Sequence, residues 1–324
     1  WRCRKRIDGM ADADNARLDD AARAGWLYYI AGRTQEDIAQ ILNISRPAAQ
    51  RLVSLCRTEG LISFRMNHPI ADCMDLAARL RDRFELQHCD IAPADGSSET
   101  AASGVASLGG LLIERWLRSR KSLVMALGTG RSMRASIERV SPMSCPLHRL
   151  VSLVGTISPD GSASRFDTLV KLAEITKAQH FPMPLPLYVS SAEERAQLVE
   201  IESIRRIRTI AGEADLWVMG ISQIGEDAVL YRDGFMNRSE LLDMVRHGAV
   251  GEVTGWVFDA EGRFLDRGTN LRVTSVPPEP GSSRLRICIG QGPAKVLPLR
   301  AALTGKIING LVTDEDTARA LLAD

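Results

Sequence analysis

The sequence lacks long apolar runs, which excludes an integral membrane protein. No segment approaches the roughly 18 apolar residues that a membrane-spanning helix requires, and the first residues contain no apolar core of a signal peptide. The composition excludes a disordered or fibrous chain, because 45% of the 324 residues are hydrophobic and 25% are charged. At about 100–200 residues per domain, this length predicts two domains.

Paired cysteines are absent as well. The six cysteines are scattered without a Cys-x-x-Cys motif, so we expect reduced, mostly buried thiols in a cytoplasmic protein. A net charge of +1 excludes a general attraction to nucleic acid, and any DNA-binding surface must therefore be local. Lysine is scarce, with six among 41 basic residues, so a lysine within a motif is slightly more informative here than in most chains.

The N-terminal part of the chain is predicted to begin with a helix. Residues 1–9 resemble either an arm or an artefact of the assigned start site, because Met10 opens a more conventional N-terminus, and they are left out of the fold prediction. From Leu18 onward, apolar and small residues recur at spacings of three and four, which is typical of the buried face of a helix. Gly32 is suited to end this helix. The predicted buried positions are Leu18, Ala21, Ala22, Gly25, Trp26, Tyr29 and Ile30.

The next stretch, TQEDIAQILNISRPAAQRLVSLCRTEGLI, has the pattern of a DNA-binding helix-turn-helix. Thr34 is suited to cap a short helix over residues 35–42, and Asn43 can adopt the left-handed backbone conformation that a tight turn requires. Ser45 is suited to cap a second helix, whose first turn tolerates Pro47. In such a motif, the second helix enters the major groove of DNA.

Polar residues on the outward face of the second helix are the candidates for contacts with DNA. Arginine can bind guanine through two hydrogen bonds, glutamine can bind adenine, and serine and arginine can both bind phosphates. Residues 46–65 hold four arginines against one glutamate, which gives a local charge of +3. The alternative is an ordinary pair of short helices packed on a third, with solvated arginines. The candidate DNA-binding residues are Gln35, Ser45, Arg46, Gln50, Arg51 and Ser54.

Two further segments separate this motif from the rest of the chain. Residues 60–66 predict a turn and a short strand, like the wing that often follows such a motif. Residues 71–86 have an amphipathic pattern with Met74 among the apolar positions, which predicts a connecting helix that either pairs with its copy in a dimer or packs against its own chain. The predicted domains are a helix-turn-helix domain over 10–70, a connecting helix over 71–88, and an effector domain over 89–324.

Beyond Asp90, short apolar strand candidates alternate with helical stretches. This alternation predicts a Rossmann-like α/β domain with a mostly parallel sheet and crossover helices. Pro182, Pro184 and Pro186 predict a rigid extended segment, and residues 277–283 predict an exposed loop. The strand candidates are residues 122–127, 150–154, 216–221, 253–258 and 285–290.

One strand end in this domain is followed by a candidate anion-binding loop, since ligands of open α/β sheets bind beyond the carboxyl ends of the strands. Its glycines let the backbone approach an anion, while its hydroxyls and the N–H groups of the next helix can hold a phosphate. A bare tight turn is the alternative, because the loop is neither a P-loop nor a dinucleotide-binding fingerprint. The loop consists of Gly128, Thr129, Gly130, Arg131 and Ser132.

Two other strand ends carry charged candidates. Gln291 and Lys295 follow the last strand candidate, where an ammonium group suits a sugar hydroxyl, a carbonyl or a phosphate. Glu252 lies between glycine-flanked turn residues and a strand, and its carboxylate can accept a hydrogen bond from a polyol or sugar hydroxyl. A surface lysine that opens a helix and a solvated loop acid are the respective alternatives.

Together these motifs resemble the SorC family of sugar-binding transcriptional regulators, over essentially the whole chain from Leu18 to Leu322. The resemblance rests on the helix-turn-helix, on LGTGRSM, DLWVMGI and GAVGEVTGWVFDAEGRFLD, and on IGQGPAKVLPLRAALTGKIINGLVTDEDTARALL. It implies an effector domain similar to sugar-phosphate isomerases and glucosamine-phosphate deaminases, which serves as a sensor of phosphorylated sugars or polyols. It also implies a homo-oligomer, commonly a tetramer built as a dimer of dimers.

Carried over to this chain, the resemblance implies a phosphate loop from Gly128 to Ser132, with Lys295 and Glu252 as the lysine and the acid of the later motifs. Two positions depart from the family pattern. Ser222 stands where relatives often have a second glycine, and Gln291 interrupts a common Gly-Gly pair. These departures bear on the shape of the effector and leave the fold prediction unchanged.

The sequence therefore predicts a bacterial regulator of a carbohydrate or polyol operon, which binds double-stranded operator DNA as a homodimer or homotetramer. We predict no enzymatic activity, no cofactor and no metal site. The rival interpretation is a sugar-phosphate isomerase or deaminase with Glu252 and Lys295 as acid–base residues. Against it, the sequence offers no complete set of catalytic partners, its five histidines fit no catalytic or metal-ligand spacing, and an enzyme has no use for a basic helix-turn-helix.

Overall fold

The computed structural model describes residues 16–62, 70–158, 161–162 and 168–323. The chain divides into two compact units, Trp1–His68 and Pro69–Asp324. Most of the predicted wing falls on residues 63–66, outside the described residues. Over the described ranges, no helix is both long enough and apolar enough to cross a membrane.

The first unit is helical. Residues 16–25 form α1, which continues directly into the π-helical turn Trp26–Ile30. Helix α2 spans Gln35–Ile41 and α3 spans Arg46–Thr58. A small hydrophobic core lies between these helices, and its buried members are Ala24, Ile38, Ala39, Ala49 and Val53.

Local capping fixes the ends of α2 and α3 where the sequence predicts them. The Thr34 hydroxyl accepts a hydrogen bond from the Asp37 N–H at 3.2 Å, and the Asp37 carboxylate accepts one from the Thr34 N–H at 3.0 Å. This reciprocal pair is a capping box. Asn43 takes a φ of +52° in the turn, and the Ser45 hydroxyl caps α3. The predicted helix-turn-helix is therefore confirmed.

The predicted inward face of the first helix is wrong at Ala22 of α1 and at two positions of the π-helical turn that follows it. Trp26 and Ile30 are predicted to be buried, yet their exposed fractions are 57% and 65%, and Ala22 is exposed too. The Ala31 N–H bonds to the Trp26 carbonyl five residues back. Because this π-helical turn is wider than an α-helical one, it rotates the side chains away from the 3.6-residue period on which the prediction rests.

The second unit alternates strands and helices. Its strands are β1 (His88–Ala92), β2 (Val124–Leu127), β3 (Arg149–Ile157), β4 (Gln179–Pro186), β5 (Leu216–Met219), β6 (Ser222–Gln223), β7 (Gly251–Val253), β8 (Trp256–Phe258), β9 (Leu285–Ile289) and β10 (Gly310–Asp314). Its helices are α4 (Ala71–Phe84), α5 (Ser98–Leu117), α6 (Arg131–Ile137), α7 (Leu169–Thr176), α8 (Ala192–Val199), α9 (Glu202–Gly212), α10 (Val229–Arg232), α11 (Arg238–Arg246), α12 (Pro293–Thr304) and α13 (Glu315–Leu322), with a 3₁₀ turn at Gly268–Leu271.

Seven parallel strands form the main sheet, in the order β1-β10-β9-β5-β2-β3-β4, and β6, β7 and β8 form a small antiparallel sheet. Alternate residues of the main strands enter two separate hydrophobic cores: Val124 and Ala126 enter one, and Met125 and Leu127 the other. Helices α5, α6 and α7 contribute to the second core, and α4, α9, α12 and α13 to the first. The predicted α/β class is confirmed, with helices on both faces of the sheet.

Several predicted elements differ in detail. The strand predicted over residues 253–258 is wrong, because β7 and β8 form a hairpin joined by Thr254 and Gly255. The proline-rich segment forms β4, which tolerates its prolines because it is an edge strand. The predicted connecting helix is α4, which packs within the second unit against β1 and α13. Its Met74 is 56% exposed, whereas Cys73 is buried.

The site-bearing edge of the sheet lies at the carboxyl ends of β2, β5 and β9, which are adjacent strands. The chain order reverses at β2, because β3 lies on one side of it and β5 on the other. Crevices at such reversals are the usual ligand sites of open α/β sheets. Gly128, Gly220 and Gly290 each follow one of these three strands directly.

Packing between α5 and α6, close to that crevice, depends on Gly109. A Cβ atom at this position would lie 2.3 Å from Ser136 Oγ and 2.9 Å from Ile289 Cδ1. We therefore expect Gly109→Ala to lower the free energy of unfolding by about 1–3 kcal/mol. The matched control is Gly212→Ala at the end of α9, where a Cβ meets no atom within 4 Å, and which should be neutral or slightly stabilising. Urea denaturation of both variants checks this, and equal stabilities would contradict it.

Candidate DNA-binding helix and ligand cavity

Helix α3 presents one buried and one exposed face, as a recognition helix must. Ala49, Val53 and Cys56 are buried, and a Cβ on Gly25 of α1 would lie 2.1 Å from Cys56 Sγ. Because α1 approaches α3 this closely, only glycine fits at that crossing. The close contact fixes which face of α3 points outward.

The candidate DNA-binding residues on α3 lie on its exposed face. Gln50, Arg51 and Ser54 are exposed, and within the part of the chain that the structure describes Arg51 has no hydrogen-bond or ion-pair partner. Arg46 lies 3.9 Å from the Glu36 carboxylate, and both side chains are largely exposed, so this pair is weak. Gln35 is half-buried, and the Ser45 hydroxyl accepts a hydrogen bond from the Ala48 N–H. Among the candidates, the side chains best placed to contact DNA are therefore those of α3.

In the second unit, a cavity of about 480 Å³ opens at the carboxyl ends of β2, β5 and β9. Seven of the eight predicted effector residues line it: Thr129, Gly130, Arg131, Ser132, Glu252, Gln291 and Lys295. Gly128 does not; its Cα instead packs against Met219, where a Cβ would lie 2.9 Å from the Met219 Cβ. The remaining wall is largely apolar and comes from α5, from β3, from the residue after β4 and from the segment around α10; it includes Val105, Ala106, Val154, Leu187, Leu230 and Phe235.

The loop between β2 and α6 forms one end of the cavity. Gly130 precedes α6 with a φ of +118°, a conformation that glycine adopts without strain. The first N–H groups of α6 have no acceptor within the helix, as at every helix start. Arg131 is exposed and, over the described ranges, forms no hydrogen bond or ion pair. This end therefore offers donors and a positive charge.

The opposite wall combines an acid and an amine. Burial raises the pKa of the Glu252 carboxyl. Two smaller effects lower it: the Gly255 N–H donates to Glu252 Oε2 at 2.9 Å, and the charge of Lys295 lies nearby. Burial likewise lowers the pKa of the Lys295 ammonium, whose Nζ donates to the Ile221 carbonyl. Both groups are thus held where water solvates their charges poorly.

Among the residues that the structure describes, three buried side-chain oxygens of the cavity wall have no hydrogen-bond partner: Ser222 Oγ, Thr254 Oγ1 and Gln291 Oε1. Buried polar atoms in proteins are nearly always satisfied, so clustered exceptions indicate a ligand or solvent site. Sequence reasoning predicted Gln291 as an effector residue, noticed Ser222 only as a departure from a family pattern, and missed Thr254. The Thr-Gly dipeptide that follows β7 is the sequence signal that could have drawn attention to it.

The buried His148 has a structural role. Its Nδ1 accepts a hydrogen bond from the Leu123 N–H at 3.2 Å, so its Nε2 carries the proton and donates to the Leu117 carbonyl at 2.9 Å. Both ring nitrogens are occupied, and His148 does not line the cavity. This histidine is therefore a packed residue with both ring nitrogens hydrogen-bonded.

Comparison with known proteins shows which family and fold the chain is similar to. Residues 68–323 match the family described as "Putative sugar-binding domain". The chain is 29% identical to the erythritol catabolism regulatory protein EryD of Brucella abortus, over 97% of this chain and 98% of that one. It is 31% identical to the transcriptional regulator LsrR of Klebsiella pneumoniae, over 98% and 96%. The full-length sorbitol operon regulator SorC of Klebsiella pneumoniae shares the fold, with a TM-score of 0.71 at 24% identity, over 94% of this chain and 98% of that one.

The raised pKa of Glu252 leads to a test of the cavity electrostatics. Since the folded protein favours the neutral carboxyl, its ionisation lowers stability as the pH rises through the folded-state pKa. We expect Glu252→Gln to raise the melting temperature at pH 7.5, with the gain vanishing below about pH 4.5, where both states are protonated.

The matched control has the opposite sign. The hydrogen bond from Lys171 lowers the pKa of Glu138, so its carboxylate adds stability above about pH 4.5 that is lost as the pH falls through the folded-state pKa. Glu138→Gln should therefore lower the melting temperature at pH 7.5, or leave it unchanged because the pair is partly exposed. Melting curves from pH 4 to 8 check both, and a Glu252→Gln protein that is less stable than wild type at pH 7.5 would refute the electrostatic assignment.

Proposed function

The chain belongs to the SorC family of transcriptional regulators with a sugar-binding domain, and we propose that it controls a bacterial carbohydrate or polyol operon. In this proposal, α3 binds operator DNA, and a sugar or polyol in the 480 Å³ cavity switches that binding. The observation that carries the proposal is the cavity wall, where a basic loop, a half-buried acid and amine, and unpartnered side-chain oxygens surround one small space. No catalytic step is needed, and we propose a sensor rather than an enzyme, acting in the cytoplasm where operator DNA lies.

DNA recognition is assigned to Arg46, Gln50, Arg51 and Ser54. Residues 46, 50 and 54 are spaced by four, so they lie along one side of α3, and Arg51 lies next to that row. One such helix covers only a half-site, and we propose at least a two-fold symmetric dimer that binds two half-sites an integral number of helical turns apart. The commonly tetrameric state of the family supports a dimer of dimers as the larger assembly.

Arg51 gives the sharpest test of the DNA assignment. Because its guanidinium is exposed and has no partner among the described residues, Arg51→Ala should weaken binding to the operator upstream of the gene by about 1–3 kcal/mol if Arg51 contacts a base. Arg120→Ala, which removes an equal charge from an exposed position of the second unit, is the control and should bind normally. Gel-shift titrations at one salt concentration measure both. Unchanged affinity for Arg51→Ala removes this residue from the recognition set.

For the effector we propose a phosphorylated sugar or polyol, with its phosphate at Thr129–Ser132 and its hydroxyls toward Glu252 and Lys295. Arg131 and the free N–H groups of α6 suit an anion, whereas Glu252 suits hydroxyl donors. The relatives named for erythritol catabolism and the sorbitol operon support the polyol class. The probes are erythritol, sorbitol, erythritol 4-phosphate, sorbitol 6-phosphate and inorganic phosphate.

Lys295 tests the effector site. Removing one charge-assisted hydrogen bond typically costs about 1.5–3 kcal/mol, so Lys295→Met should weaken binding of the responding probe roughly tenfold or more. Operator binding without the probe should remain normal. Lys171→Met is the matched control, because Lys171 pairs with Glu138 outside the cavity. Calorimetric titration and operator-release assays provide the measurements.

A second pair of variants separates charge from size at the proposed phosphate end. Ser132→Asp places a carboxylate beside the phosphate position and should abolish the response to a phosphorylated probe, whereas Ser132→Asn, of nearly equal size, should weaken it less. If the Lys295 and Ser132 variants all bind and respond like wild type, the effector binds elsewhere and the cavity assignment fails.

A further inference from the structure

The turn between β7 and β8 is held by two hydroxyl groups from other parts of the chain. It consists of Thr254 and Gly255, with φ values of +50° and +87°. The Ser275 hydroxyl donates to the Thr254 carbonyl at 2.5 Å, and the Tyr188 hydroxyl donates to the Gly255 carbonyl at 2.6 Å. Ser275 is fully buried, and neither Ser275 nor Tyr188 lines the 480 Å³ cavity.

A single peptide group connects Ser275 to Glu252. The Thr254 carbonyl and the Gly255 N–H belong to the same planar peptide group. The carbonyl accepts the hydrogen bond from Ser275, and the N–H donates to Glu252 Oε2 at 2.9 Å. Because the group is rigid, a bond that fixes the carbonyl oxygen also fixes the direction of the N–H. The bond at the carbonyl also polarises the N–H and strengthens its own hydrogen bond.

The turn by itself does not determine the orientation of this peptide. Glycine adopts positive and negative φ about equally readily. Two-residue hairpin turns therefore occur with the second residue at either sign of φ, and the two forms differ in the orientation of their central peptide. In the other form, the Gly255 N–H would face away from Glu252. The hydrogen bond from Ser275 favours the observed form.

The orientation of the Glu252 carboxylate depends on that N–H. Within the part of the chain that the structure describes, Glu252 Oε2 accepts the bond from Gly255, and Oε1 has no hydrogen-bond partner. Glu252 is half-buried and lines the cavity together with Lys295. The bond to the turn therefore holds one carboxylate oxygen and leaves the other available for a hydroxyl of a ligand.

We propose that Ser275 is a positioning residue of the ligand site, whose hydroxyl holds the Glu252 carboxylate, through the Thr254–Gly255 peptide, for the hydroxyls of a sugar or polyol. The inference rests on the proposed function of the cavity and extends it to a residue that does not line the cavity. The Gly255 N–H stabilises the ionised form of Glu252 and so lowers the pKa that burial raises. If this bond weakens, the carboxyl keeps its proton to a higher pH.

A substitution at Ser275 leaves the other charged or titratable groups around Glu252 in place. Burial raises the pKa of the Cys288 thiol to about 12 and that of the Tyr188 phenol well above its ordinary value. Both therefore stay neutral between about pH 4.5 and pH 8. The groups that act on Glu252 or line its cavity are Lys295 of α12, Cys288 of β9, Tyr188 beyond β4, Arg131 of α6 and Asp233 beyond α10.

Melting temperatures without a ligand test the positioning role. We expect Ser275→Ala to lower the melting temperature more at about pH 8 than at about pH 4.5, because the ionised Glu252 depends on the N–H more than the neutral carboxyl does. Tyr188→Phe is the matched control. It removes a hydroxyl from the neighbouring carbonyl and leaves the peptide with the Gly255 N–H intact, so its effect should be equal at both pH values. In a Glu252→Gln background, Ser275→Ala should also act equally at both.

Ligand binding provides a second measurement. The probes are erythritol, sorbitol, erythritol 4-phosphate and sorbitol 6-phosphate. For the probe that binds, the ratio of the dissociation constants of Ser275→Ala and wild type should rise about threefold or more from pH 8 to pH 5, because protonated Glu252 accepts hydroxyl donors less well. This ratio is independent of the titration of the probe itself. Ser275→Cys has nearly the same size and a weak donor, so it should give a smaller rise.

The outcomes separate this inference from the proposed function. If Ser275→Ala lowers the melting temperature equally at both pH values, the hydroxyl is merely structural and the inference fails, whether or not a probe binds. A ratio of dissociation constants that does not change with pH also overturns it. If the melting temperatures behave as expected and wild type binds no probe, Ser275 still positions Glu252 and the proposed effector class fails alone. If Ser275→Ala does not fold, the same measurements on Ser275→Cys decide.

Discussion

The parallel register of β5 with β2 and β9 is the constraint on which the ligand site depends. Leu127 pairs with Val218, and Met219 pairs with Cys288, so the three strands end at nearly the same level. The loop after each strand therefore begins at one edge of the sheet. Residues almost 170 positions apart in sequence, such as Thr129 and Lys295, line a single cavity for this reason. The packing of Gly128 against Met219 maintains this approach, because β2 and β5 could not end side by side with a larger residue there.

Burial of charge gives the cavity its chemical character. Glu252 and Lys295 both have pKa values displaced toward their neutral forms, and burial is the largest cause in each case. An unsatisfied buried polar group typically costs about 1–3 kcal/mol. The cavity without a ligand contains such groups, and a ligand that forms hydrogen bonds with them removes this cost. A ligand at 100 times its dissociation constant stabilises the folded state by about 2.7 kcal/mol. Sensing and stability are therefore linked through the same few atoms.

Sequence patterns predicted the elements whose signals are local. Capping residues such as Thr34 and Ser45 act within three or four residues, and strands followed by glycine-rich loops are equally local. The β7–β8 hairpin escaped prediction because Thr254-Gly255 lacks the usual asparagine, and its strain is imposed by distant contacts such as Ser275. The exposed Trp26 was missed because nothing in the local pattern marks a π-helical turn. The charged groups of the cavity could be predicted because each follows a strand in a local motif. The apolar wall that α5 contributes could not, because it depends on how that helix packs.

Cavity size and lining also limit which ligands can act as a switch. A volume of about 480 Å³ suits a small molecule, and its apolar wall suits the carbon face of a sugar or polyol. Such a ligand regulates only if it binds the DNA-competent and DNA-incompetent states unequally, and a tenfold preference requires about 1.4 kcal/mol. One hydrogen bond to a charged group, present in a single state, supplies that much. The residues that discriminate between ligands need not be those that discriminate between states, because switching requires a wall group whose position changes.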